Sequence, residues 1–222
     1  MIKIFSFAYN ESGFIETQFN TFKKHIKNDF SFTCVDNSTY PTIKEKLHSF
    51  CDINNLSYYD CHNDGYGYGS LSHSSALNAT ITNLLDPNQM SFFVDHDVYA
   101  IKDIDIELVA NGHHFTGCEQ SRNHIKYLHP AYLIINTPII PNIKSLNMTP
   151  TTIDNIHVDT GGNIHTFTQS NNYSIKYLPF SYDKYDIEVI NNALIHFVAG
   201  SNWNNNPLYD EKLQYFNSLV NI

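Results

Sequence analysis

Over its first hundred residues the chain repeats one unit: an apolar run of strand length, then apolar residues at helical spacing. Residues 3–9 are such a run, followed by Phe14, Ile15, Phe19, Phe22 and Ile26 at helical spacing. Residues 31–35 form a second run, after which Ile43, Leu47 and Phe50 mark one helical face, and 56–59 form a third short run. A glycine-rich stretch over 62–70 fits neither element. Leu77, Ile81, Leu84 and Leu85 then restore helical periodicity until Asp86-Pro87-Asn88 stops it, and 90–94 is a further apolar strand. Parallel strands need crossover helices, so this alternation predicts an α/β fold with a mainly parallel, Rossmann-like sheet flanked by helices. Ligands of such sheets bind beyond the carboxyl ends of the strands. The chain near Tyr9-Asn10, Asp36 and Asp95–Asp97 is therefore expected around one crevice.

The second half is less regular. Residues 115–116, 132–135, 175–178 and 194–198 look like strands separated by proline-containing loops. One helix is expected after Asp159-Thr160-Gly161-Gly162, and another from Asn206-Pro207 through Leu213, Phe216 and Val220. At 222 residues, 42% hydrophobic and 16% charged, the chain is expected to form a single globular domain, 1–222. Arg122 is its sole arginine and its net charge is −9, which argues against a nucleic-acid groove. No stretch has the roughly 20 apolar residues of a membrane span, and the first dozen residues read as a core strand rather than a signal peptide. Cys34, Cys51, Cys61 and Cys118 show no metal or disulfide spacing. A reduced, cytoplasmic setting is the expectation.

The octet Phe92-Phe93-Val94-Asp95-His96-Asp97-Val98-Tyr99 carries the most chemistry. Two carboxylates two residues apart face one side of an extended strand, and hard oxygen ligands of that kind suit Mn²⁺ or Mg²⁺. The same pair could instead cap a turn and face solvent, and alone it does not decide.

Three neighbouring segments make the chain resemble GT-A-type nucleotide-sugar glycosyltransferases. They are Ala8-Tyr9-Asn10-Glu11, Val35-Asp36-Asn37-Ser38 and Phe93-Val94-Asp95-His96-Asp97. Between the last two, Asn63-Asp64-Gly65 and Ser75-Ala76-Leu77-Asn78 look like the loop and helix that family-2 members place before their DxD strand. Near the C-terminus, Ile195-His196-Phe197-Val198-Ala199-Gly200-Ser201-Asn202-Trp203 is similar to the His-Phe-x-Gly-x-x-Lys-Pro-Trp segment of family-8 members, with one extra residue before the glycine and neither the lysine nor the proline. The resemblance implies a metal-dependent hexosyltransferase that moves a sugar from a nucleoside-diphosphate sugar, a uridine diphosphate sugar being expected, to a glycan, glycoprotein or other hydroxyl acceptor. Residues 1–100 would then bind the nucleotide and 101–222 the acceptor. Asp95, Asp97 and His196 would hold Mn²⁺ or Mg²⁺, which neutralises the departing diphosphate as a Lewis acid. Tyr9 would cover the base, Asn10 hydrogen-bond it, and Asp36 accept from base or ribose. Asn63, Gly65, Asn78, His96, Gly200 and Trp203 would also contact substrate.

Inverting transfer needs a carboxylate to take the acceptor proton. Asp159, between an apolar stretch and two glycines, is the expected base, and Glu119 competes with it. Its alternative role is a helix N-cap. The family-2-like half implies inversion and the family-8-like segment retention, with inversion slightly favoured. His113, His114, His124 and His129 show no ligand pattern. Two rival readings stand: a non-catalytic carbohydrate- or metal-binding module, and a nucleotidyltransferase, for which no glycine- and lysine-rich phosphate loop is seen.

Overall fold

The computed structural model describes residues 1–62, 69–202 and 205–220. In chain order the first half forms β1 (Ile2–Ala8), α1 (Gly13–His25), β2 (Phe30–Asp36), α2 (Pro41–Ile53), β3 (Ser57–Asp60), α3 (Ser70–Asn83), β4 (Ser91–Asp95) and β5 (Val98–Ala100). It continues with α4 (Ile106–Ala110), β6 (Phe115–Arg122), β7 (Ile125–Ile135), β8 (Thr151–Ile153), β9 (Ile156–Val158), α5 (Asn163–Asn171) and β10 (Ile175–Leu178). The last elements are β11 (Phe180–Tyr182), β12 (Glu188–Ile190), β13 (Leu194–His196) and α6 (Tyr209–Val220).

A seven-stranded sheet runs in the order β10-β6-β7-β4-β1-β2-β3. β1 is parallel to β2 and β4, β2 to β3, and β6 to β10, while β7 is antiparallel to both β4 and β6. The mainly parallel sheet is the one the strand-helix alternation predicts. Its central strands β1 and β4 are buried along nearly their whole length because both faces are covered. On β1, Ile2, Ile4 and Ala8 pack with Ile15, Phe19 and Phe22 of α1, whereas Phe5 and Phe7 pack with Ala76, Leu77 and Ile81 of α3. Phe92 and Phe93 of β4 divide between the same two cores, and burying each ring contributes roughly 1.5–3 kcal/mol.

In a second sheet, ordered β11-β12-β13-β5 and antiparallel throughout, only β13 has a counterpart in the sequence expectations, the strand over 194–198. Its strands are three residues long, too short for a period of two to show. One face (Val98, Ala100, Ile190, Leu194) joins the first core, and the other (Tyr99, Val189, Ile195) packs on Phe14 of α1 and Phe216 and Val220 of α6. The C-terminal helix starts at Tyr209 rather than at Pro207, because the Asn206 side chain first accepts from the Leu208 amide in a turn of its own.

Candidate active site and metal centre

The Asp95–Asp97 pair sits where the two sheets meet. The strand does not stay extended through it, which corrects the expectation of two carboxylates on one face of a strand. β4 ends at Asp95, the chain turns through His96-Asp97, and β5 starts in the other sheet at Val98. The buried Gln18 of α1 holds this turn: its Nε2 donates to the carbonyls of Asp95 (2.7 Å) and Val98 (2.8 Å), while its Oε1 accepts from Ser6 Oγ. His96 Nδ1 donates to the Phe7 carbonyl at 2.8 Å, tying the turn to β1.

β13 then brings the third candidate. It lies beside β5 with His196 opposite Val98, so the imidazole stands next to Asp97. Ligand atoms of Asp95, Asp97 and His196 all lie within 4.8 Å of one another. His196 Nε2 is 3.4 Å from Asp97 Oδ1, and its Nδ1 donates to Glu188 Oε2 at 2.7 Å. Asp97 Oδ2 accepts from the Gly200 amide at 2.8 Å. His73 of α3 reaches to 3.0 Å from Asp95 Oδ1, outside hydrogen-bond geometry.

Burial opposes every charge here, yet the charges hold one another. Burial would neutralise His196, but Asp97 and Glu188 outweigh it and push its pKa up to about 10. Burial likewise opposes ionisation of Asp97 and Asp95, and His196 and His73 respectively overcome it, so both carboxyls sit below the usual range. His73 is raised against burial by Asp95, Asp97 and Asp159. The group fits a small divalent cation: two hard carboxylates and an imidazole nitrogen converge, and Asp95 Oδ1 is buried with no hydrogen-bond partner among the described residues.

These residues line a cavity of about 280 Å³. Tyr9, His96, Asp159 and Gly200 also line it. The Asp159 loop is built by close packing. Gly161 has φ 85°, and a Cβ there would lie 2.8 Å from the Leu128 carbonyl; one on Gly162 would lie 2.4 Å from Val158 Cγ2. The N-cap of α5 is Gly162, so Asp159 is not the helix cap; its Oδ1 accepts from the Thr160 amide at 2.8 Å. Thr160 Oγ1 donates to the Ser70 carbonyl and joins this loop to the start of α3.

Three expected contacts sit behind the wall. Asn37, rather than Asp36, lines the cavity; both Asp36 carboxylate oxygens are engaged, by the Ser38 amide (2.8 Å) and Tyr58 OH (2.6 Å). Asn10 spends its side chain on Thr39, and Asn78 on Asn147, Met148 and Thr149. Glu119 pairs with Lys126 at 3.0 Å across the β6–β7 hairpin and does not line the cavity. Asn63, Gly65 and Trp203 lie outside the described residues.

No family model and no curated protein matches the sequence. Among solved structures, a mannosyltransferase from Pyrobaculum calidifontis, in complex with GDP-Man and Mn²⁺, aligns with a TM-score of 0.55 and 12% identity over 80% of this chain and 54% of its own. This chain thus spans about half of that one. The fold is GT-A. Two further solved structures lie at lower TM-scores: the galactosyltransferase LgtC with donor and acceptor sugar analogues (0.44, 12% identity, 62% of this chain and 58% of that one) and TarS from S. aureus (0.36, 17% identity, 54% and 35%).

On this GT-A framework the structure adds residues that sequence reasoning missed. His73, Gln120 and His129 line the cavity, and the His129 ring centroid is 6.0 Å from that of His196. Burial, then the His196 charge, hold the His129 pKa low. Its Nδ1 accepts from the Ala131 amide at 3.2 Å, which leaves the proton of the neutral ring on Nε2. Gln18 and Glu188 act one layer out. No local pattern marks any of the five, since each acquires its role from a strand or helix distant in sequence.

Proposed function

We propose that this protein is a metal-dependent glycosyltransferase that moves a sugar from a nucleoside-diphosphate sugar to a hydroxyl of a glycan or glycoprotein. The observation that carries this reading is the convergence of half-buried Asp95 and buried Asp97 at the carboxyl end of β4 with buried His196 of β13, on a GT-A fold. Asp95, Asp97 and His196 hold Mn²⁺ or Mg²⁺, which when bound supplies positive charge for the leaving diphosphate. The chain's own residues do the rest. Tyr9 and Asn37 lie on the nucleotide side of the cavity, where strand ends of parallel sheets take their ligands. His96, its Nδ1 proton engaged by Phe7, offers Nε2 as an acceptor for a donor hydroxyl.

Transfer proceeds with inversion. Asp159, on the same cavity wall, takes the proton of the acceptor hydroxyl as it attacks. The uridine diphosphate sugar expected from sequence is one donor class to test. The mannosyltransferase of similar fold was solved with GDP-Man, which makes guanosine diphosphate sugars the other.

The test is donor turnover. Incubation with Mn²⁺ and a panel of uridine and guanosine diphosphate sugars should release the nucleoside diphosphate from at least one donor, with release stopped by a chelator. A folded protein that hydrolyses or transfers from none would leave a binding module as the better reading.

A further inference from the structure

We propose that Glu188 is a positioning residue of the metal centre, turning His196 so that Nε2 is its ligand atom. The inference rests on the reading of Asp95, Asp97 and His196 as metal ligands. Glu188 belongs to β12, whose register sets Glu188 opposite His196, and β13 in turn sets His196 opposite Val98, next to Asp97. Cross-strand neighbours in an antiparallel pair present their side chains on the same face. The carboxylate is thereby delivered to the back of the imidazole, where Oε2 accepts from Nδ1 at 2.7 Å.

An imidazole holds its proton on one nitrogen and offers the other, and the partner of the first decides which. With Nδ1–H held by Glu188, Nε2 is left facing Asp97 Oδ1 at 3.4 Å, inside the candidate cation site. The imidazole side chain is only 5% exposed, so no solvent molecule substitutes readily for the carboxylate. Partners of this kind orient metal-bound histidines, and their loss typically weakens the metal about 10–100-fold. Glu188 does not itself belong to the ligand group, which separates its role from that of Asp97.

Two conservative variants divide hydrogen bonding from charge. Glu188→Gln keeps the reach and the acceptor oxygen but loses the charge, whereas Glu188→Asp keeps the charge and withdraws it by one methylene, opening the 2.7 Å contact. Mn²⁺ alone is titrated into wild type, both variants and Asp97→Ala by calorimetry, with metal-free melting temperatures recorded for each. The expected result is a loss of about 10–100-fold in Mn²⁺ affinity for Glu188→Asp and only a few-fold loss for Glu188→Gln, without a matching order in the melting temperatures. Wild-type affinity in Glu188→Asp, or Glu188→Gln falling as far as Glu188→Asp, overturns the inference while Asp97→Ala still reports a genuine metal site. Absence of Mn²⁺ binding by wild type overturns the metal reading itself, and Glu188's role with it.

Discussion

A methyl group on Gly200 would collide with the carboxylate that its amide serves: the Cβ would lie 2.8 Å from Asp97 Cβ and 2.9 Å from Oδ2. Gly200→Ala should therefore push Asp97 out of line, costing about 1–3 kcal/mol of stability and weakening Mn²⁺ binding; denaturant melts and Mn²⁺ titration would read the two effects. An unchanged affinity would mean that Asp97 does not need this support. Asp159→Asn keeps size and loses basicity, so transfer should fall about 10²–10⁴-fold with donor binding hardly altered. A kcat within about threefold of wild type would remove Asp159 as the base, since an acid-base residue contributes far more than that. His196 gives a pH dependence of definite sign. Its pKa is raised from 6.5 to about 10, so its ion pairs stabilise the metal-free protein fully below pH 6.5, and that contribution is lost as the pH climbs towards 10. Metal binding runs the other way, because the cation must displace the imidazole proton: Mn²⁺ affinity should rise by up to about tenfold per pH unit across pH 7–9, with proton release visible as a buffer-dependent enthalpy. A flat affinity over that range would exclude His196 as a ligand. At this scale the pair Asp95/Asp97 was legible because two carboxylates at a strand end are a local pattern, and His196 only because its segment resembles a family motif. Glu188, His73 and His129 were not, because pairing across sheets and helices brings them there.

The candidate metal centre is supported by an element that offers it no ligand. α1 reaches over the first core with Gln18, and its amide donates to two carbonyls at the β4–β5 turn. Gln18→Leu keeps the volume and leaves those buried carbonyls unpaired, at about 1–3 kcal/mol for each group stranded. The expected outcome is a lowered denaturation midpoint together with weakened Mn²⁺ binding; a loss of stability with intact metal affinity would show that the turn holds its shape without the amide. The same contrast explains what could be read in advance. β1, β2, β4, α1 and α3 announce themselves because amphipathic or doubly buried segments keep one pattern over five to fourteen residues. β5, β11 and β12 do not, being three residues each and held by strands of a sheet whose members lie up to about a hundred positions apart. Since His196 depends on that second sheet, its neighbourhood was legible only as a resemblance, whereas Asp95 was legible from the sheet itself.

Across the whole molecule the charge balance makes one demand. The chain carries 22 acidic against 13 basic side chains, and among the described residues lining the cavity there is neither a lysine nor the arginine, while Asp95, Asp97 and Asp159 are all present. Lys212, the buried lysine nearest in the chain to the Gly200 segment, donates to the Val198 carbonyl and sits 4.5 Å over the Phe197 ring. On the proposed reading a diphosphate entering this cavity meets these carboxylates, and a bound cation would compensate both. The most direct measurement is the thermal stability of the metal-free protein with uridine and guanosine diphosphates, each with Mn²⁺ and with a chelator, alongside Asp97→Ala. Stabilisation by nucleotide, beyond that of Mn²⁺ alone, is expected only when Mn²⁺ is present with it, reaching about 2.7 kcal/mol at a hundredfold excess over Kd, and should vanish in Asp97→Ala. Equal stabilisation by nucleotide in the presence of the chelator, or none by either nucleotide with saturating Mn²⁺, would contradict a metal-linked donor site.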